Sequence, residues 1–153
     1  MENHLPCCKP LTAARFTPGC RARLVRKQVW LFAVAVPLLV RLPLPVLARW
    51  LKPGRKTPSA NAERAQGIVQ CVDEVLRRSS TLVRRGCLTR GITLYFFLCR
   101  AGLDVDLHFG VGKVKGSFEG HCWLERDGEP FLEATDPRPY FSSIYCVRSQ
   151  RAA

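Results

Sequence analysis

A chain of 153 residues, 47% of them apolar, can bury one core and is too short for two ordinary domains. The formal charge of +12 is uneven: residues 1–56 hold eleven Lys/Arg and one acid, while 57–153 hold thirteen and eleven, so the front carries +10 and the rest +2. No basic stripe interleaved with aromatics and no zinc-finger or helix-turn-helix signature accompanies that charge, so nucleic acid is not the expected partner; an anionic membrane surface or an acidic protein suits the front.

The eight cysteines (Cys7, Cys8, Cys20, Cys71, Cys87, Cys99, Cys122 and Cys146) show no CxxC pair and no framework spacing. Disulfides are therefore not expected, and a reducing, cytoplasmic setting is, with membrane association through the front as its variant. His4, Cys7, Cys8 and Cys20 match no common zinc spacing, so no metal is expected.

Along the chain, residues 1–27 are rich in Pro and basic side chains and are expected to lack fixed structure. Residues 28–56 form an apolar segment with basic flanks. Val29 to Val40 (VWLFAVAVPLLV) is interrupted by Pro37 and followed by Arg41, Pro43 and Pro45. That run is too short and broken for a confident span; helical packing or contact with a membrane surface ranks first, a single span second and a signal peptide third. Lys52 to Ala60 (KPGRKTPSA) reads as a linker, which leaves 57–153 as the catalytic domain.

Asn61 suits an N-cap for a helix to Arg78, whose Ala65, Ile68, Val69, Val72, Val75 and Leu76 recur at spacings of three and four. A second helix, Leu88 to Ala101, ends near Gly102 and is expected at the centre of the core. Val105, Leu107, Phe109 and Val111 then alternate with Asp106, His108 and Gly110, which predicts a half-buried strand with His108 on a solvated face. A loop over 112–116, a strand from Phe118 to Arg126, an Asp127-Gly128 turn and a return strand over Glu129 to Ala134 complete a hairpin. Helices gathered ahead of an antiparallel sheet predict an α+β domain.

Cys87 follows Gly86 and opens the central helix, where the positive end of the helix dipole favours a thiolate. A thiol nucleophile needs a base within reach and a third group to orient the base. His121, on a strand of the hairpin, is the candidate base. Two acids compete for the third role. Plain register sets Ala134 opposite His121 and puts Asp136 on its face; a bulge at Pro130, which cannot donate a ladder hydrogen bond, brings Glu133 there instead. Trp123 is expected to pack beside His121, as a shield from water or as ordinary hairpin packing. Arg90 is expected to face solvent.

The stretches RGCLTRGITLYFFLCRAGLDVDLHFGVGK and FEGHCWLERDGEPFLE, with an acid twelve residues after the histidine, resemble the stand-alone B-type maturation proteins of lasso-peptide biosynthesis, which are transglutaminase-like cysteine peptidases. The resemblance covers about residues 62–148. It implies a transglutaminase-like, papain-like core with a nucleophile helix packed on a small antiparallel sheet. It places the nucleophile on Cys87, the base on His121 and the acid on Glu133, where aspartate is the common choice, and Arg90 fits its Cys-Leu-x-Arg opening. The implied activity is removal of the leader from a ribosomally made precursor peptide. The implied partners are a separate leader-recognition protein and an asparagine-synthetase-like cyclase that uses ATP; the chain itself needs no cofactor. The competing readings are a non-catalytic precursor-binding module and an acyl transferase, because a thioester does not itself choose water over an amine.

Overall fold

The computed structural model describes residues 20–52, 62–78, 83 and 86–149. Four helices, α1 (Cys20–Leu39), α2 (Leu44–Leu51), α3 (Ala62–Arg78) and α4 (Cys87–Arg100), precede four strands, β1 (Asp106–Val114), β2 (Ser117–Arg126), β3 (Glu129–Phe131) and β4 (Ser142–Val147). The strands form one antiparallel sheet in the order β3-β2-β1-β4. The fold is α+β, as the order of elements implies. His4, Cys7, Cys8, most of the linker and Asn61 lie outside the described residues.

α4 is apolar on nearly every side, and it is buried accordingly, with α1, α2 and α3 packed against it from one side and β1 and β2 from the other. Ile92, Leu94, Tyr95 and Leu98 are fully covered. The distance between α4 and β2 is set at Gly91, where a Cβ would come within 2.8 Å of Cys122 Sγ. Any larger residue would push the start of the helix off the sheet. At its other end the Gly102 and Leu103 amides donate back to the Cys99 and Leu98 carbonyls, a Schellman closure with Gly102 at φ +90.

Three sequence expectations change. The front is structured earlier than expected: α1 begins at Cys20, because its basic turns are made of good helix formers and Val25, Val29, Ala33 and Val36 give it an inward stripe on the core. Pro37, which lacks the donor N–H, falls in the last turn, and the helix stops two residues later. Among the described residues no helix is long and apolar enough to cross a membrane. The expected 112–116 loop is mostly strand, since β1 runs to Val114 and the chain reverses through Lys115 and Gly116, both at positive φ. The return strand is shorter than expected: β3 pairs with β2 only from Arg126↔Glu129 to Leu124↔Phe131.

The second face of the sheet is covered rather than solvated. Trp123 is 1% exposed and lies over β1 at Gly110, where a Cβ would sit 2.6 Å from its ring and 2.9 Å from the Ser142 carbonyl oxygen. Gly110→Ala is therefore expected to destabilise the fold by about 1–3 kcal/mol through overpacking. Gly120→Ala, whose nearest new contact would be 3.9 Å away, should leave stability within about 0.5 kcal/mol. Denaturant unfolding of the two variants, with near-ultraviolet circular dichroism reporting on the tryptophans, makes the comparison.

Candidate active site

Cys87 is the first residue of α4, and Gly86 before it contributes no side-chain cap, so no capping oxygen occupies the first-turn amides. The opposing wall is the edge of β2. Because β3 ends opposite Leu124, β2 has no strand neighbour on that side at Cys122 and His121, and the Cys87 sulfur docks there instead. Burial by itself would raise the thiol's pKa. A hydrogen bond with the His121 side chain, the charge of that ring, and the backbone amides of Cys122 and Leu88 together outweigh it and hold Cys87 below the ordinary thiol value. Cys71, Cys99, Cys122 and Cys146 all move up, each chiefly by burial, Cys99 to about 12. Of these five thiols, Cys87 alone is tuned toward the thiolate.

The imidazole of His121 is fixed from several sides. Trp123 stacks on it at 5.9 Å between ring centroids and 13° between planes, and Phe141 lies 4.9 Å away at 31°. Glu133 Oε2 sits 3.5 Å from Nε2, with both side chains only 8% exposed. This is a loose contact, of the kind that tightens when substrate closes a site. It turns Nε2 toward the carboxylate of Glu133, while the same ring hydrogen-bonds the Cys87 sulfur.

Glu133 reaches this position by neither route drawn from register. There is no return strand beyond Phe131 to carry a regular alternation or a bulge past His121. Instead Leu132 takes φ +62, a left-handed conformation unusual for a residue with a branched side chain, and turns the chain so that Glu133 faces the ring. Arg90 holds that turn. Its Nη1 donates to the Leu132 carbonyl at 3.1 Å and lies 3.9 Å from Glu133 Oε1, while Nε and Nη2 donate to the two oxygens of Asp73 on α3 at 2.9 and 3.4 Å. The expectation that Arg90 faces solvent is thus corrected: it lies three residues after Cys87, largely buried, and ties α3, α4 and the Leu132–Glu133 turn together. That spacing was visible in the sequence; its partner carbonyl was not.

Asp136 is not brought to His121. Its carboxylate accepts from the backbone N, Nε and Nη2 of Arg138 and is held below the usual carboxylate range by those bonds, and Arg138 also donates to Glu129 and to the Gly128 carbonyl. The pair staples the Asp127-Gly128 hairpin. His108 is corrected as well. It sits in a second network with Nδ1 3.0 Å from Ser143 Oγ and Nε2 3.3 Å from Glu125 Oε2, stacked on the far side of Trp123 at 5.4 Å. Trp123 Nε1 donates to the other oxygen of Glu125 at 2.9 Å, so the indole is clamped between two imidazoles and keyed in rotation by a carboxylate. Phe141 and Leu132 had no sequence signal, since their roles depend on how the segment after β3 crosses the sheet. Among the described residues no group of three His, Cys, Asp or Glu side chains is arranged to hold a metal.

The chain matches the transglutaminase-like superfamily over residues 29–146 and belongs to it. Catalysis in this superfamily is generally cysteine-based, and its members include cysteine peptidases and acyltransferases. No curated protein and no solved structure matched the chain. The matched span begins within α1, which packs on α3 and α4.

At neutral pH, limiting iodoacetamide is expected to modify Cys87 ahead of Cys71, Cys99, Cys122 and Cys146, as read by peptide mapping. His121→Ala should abolish that preference. Arg90→Ala is expected to cost about 2 kcal/mol of stability from its lost charged hydrogen bonds. Arg90→Lys should recover part of the stability, measured by denaturant unfolding, but not the preference at Cys87, because one ammonium cannot reach both Asp73 and the Leu132 carbonyl in the fork geometry.

Proposed function

We propose that this protein is a cytoplasmic cysteine peptidase that removes the leader of a ribosomally made lasso-peptide precursor. It would act beside a separate leader-recognition protein and an ATP-using, asparagine-synthetase-like cyclase. The reading is supported by membership of the superfamily, by the sequence resemblance over residues 62–148, and by one observation above the others: the Cys87 thiol, the His121 ring and the Glu133 carboxylate lie in sequence of contact, with the thiol tuned downward.

In this mechanism the Cys87 thiolate attacks the carbonyl carbon of the leader's last residue. The carbonyl oxygen becomes an oxyanion, and the positive end of α4, which carries no side-chain cap, would stabilise it. The His121 imidazolium, kept in orientation by Glu133, gives its proton to the leaving amine as the C–N bond breaks, which leaves a thioester on Cys87 and a free amino end on the core peptide. Neutral His121 then takes a proton from water, hydroxide displaces the sulfur, and the leader departs as a carboxylate. Trp123 and Phe141 pack on the imidazole and shield it from bulk water.

The test is incubation of the protein and its recognition partner with candidate precursor, followed by product masses. Leader plus core, with one water added, is the expected result. Cys87→Ala and His121→Ala should each lower the rate by at least about 10³-fold, Glu133→Gln by about 10–100-fold, and Asp136→Asn should leave it within about twofold. Incorporation of an added amine in place of water would identify an acyl transferase, and retained precursor affinity without any cleavage would identify a binding module.

A further inference from the structure

α1 presents a conflict between composition and position. At 100° per residue, Val29, Ala33 and Val36 share the inward face, and all three are buried. Leu24, Leu31 and Leu38, spaced by seven, form a stripe about 180–220° from Val29, and they are 59%, 65% and 63% exposed. Between Val29 and Val40 the indole N–H of Trp30 is the single side-chain hydrogen-bonding group, so the Leu31 and Leu38 side of these turns offers water almost nothing to hydrogen-bond. A helix that is apolar all round is normally covered all round. This one is covered on one side.

The surroundings of the stripe say what chemistry covers the other side. Trp30 on α1 and Trp50 on α2 are exposed, at 39% and 69%, as are Leu42 and Val46 in the segment that follows α1. Exposed cations accompany it, Arg23, Arg26 and Lys27 in the first turns of α1 and Arg41, Arg49 and Lys52 after the helix, and residues 20–52 contain no acid. A second copy of the chain would bring like charges together on that patch. A protein partner ordinarily makes a hydrogen bond for every 100–200 Å² it covers, and from Val29 to Val40 only the Trp30 indole has a side-chain donor to offer. A bilayer interface asks for none. It takes leucines into the acyl boundary, tryptophans at headgroup level and lysine or arginine against anionic lipid.

We propose that the outer face of α1, with the exposed edge of α2, is a docking surface for an anionic lipid membrane, on which the protein lies without crossing it. The leucine stripe, about 21 Å long from Leu24 to Leu38, lies in the plane of the interface. The six cations set the preference for negative lipid. The surface shares no residue with the Cys87 site, which is carried by α4, β2 and the segment after β3.

The full-length protein would be mixed with vesicles of phosphatidylcholine alone and of equimolar phosphatidylglycerol and phosphatidylcholine, and read by co-sedimentation and tryptophan fluorescence. The chain has three tryptophans, and Trp123 is buried, so an environmental change reports on Trp30 and Trp50. The expected result is sedimentation with the anionic vesicles only, a blue shift with loss of aqueous quenching, and weakening as salt rises. The triple variant Leu24→Glu, Leu31→Glu, Leu38→Glu should bind more than about tenfold less while keeping its far-ultraviolet spectrum and its Cys87 alkylation rate. Folded protein that stays in the supernatant with anionic vesicles, or a triple variant that binds as well as the parent, overturns the proposal. The first of these results would point to an acidic protein as the occupant.

Discussion

The site depends on how closely the start of α4 approaches β2. Gly91 allows the helix to lie against Cys122, and that contact delivers the Cys87 sulfur to a stretch of β2 from which β3 has already departed. A continuous return strand would occupy the same edge. The early end of β3 is thus not a defect in the hairpin but the opening into which the nucleophile fits, and the amide of Cys122, left without a strand partner there, becomes a donor to the sulfur. Burial and hydrogen bonding pull the thiol in opposite directions, and the bonds prevail only at Cys87; at Cys122, its neighbour across the contact, burial leads and the thiol is inert.

Around this contact the remaining parts act as supports. Arg90 joins Asp73 on α3 to the backbone of Leu132, and so couples the helical layer to the segment that carries Glu133. The backbone cost of Leu132 at positive φ is borne because the Arg90 bond and the apolar surroundings of its side chain fix it. On the far side, His121, Trp123 and His108 stack as three rings, with Glu125 accepting from the indole and contacting His108. The plane of the base is therefore defined by a network that extends well beyond the three residues of the proposed chemistry.

Much of this was legible in the sequence, for definite reasons. The α4 boundaries followed from Gly86, an apolar run and Gly102, and the Asp127-Gly128 turn fixed the hairpin register at Arg126 and Glu129. Cys87 and His121 stood out because a cysteine at a helix start and a histidine on a strand are placed by local structure. The acid did not, because its position depends on where pairing stops. Register arithmetic continues a strand indefinitely, whereas the real one ends at Phe131 and a single left-handed leucine redirects the chain. Likewise His108 read as a surface residue because alternation assigns a face without saying what crosses it, and Trp123 with the segment up to Phe141 crosses it here. The basic front misled through composition: Pro and Arg content suggested disorder, but the helix from Cys20 is held by a stripe of small apolar residues that composition averages away.

The most direct measurement is the thiolate absorbance of the protein as a function of pH, taken as the difference between the parent and Cys87→Ala and repeated in the His121→Ala background. A lowered pKa means that the anion persists to more acidic pH. The Cys87 step should therefore fall below the ordinary thiol value near about 8.5 and, once His121 is removed and burial is less opposed, move upward. A Cys87 step at or above the ordinary value, unchanged by the loss of His121, would contradict the coupling of sulfur and imidazole on which the proposed peptidase rests.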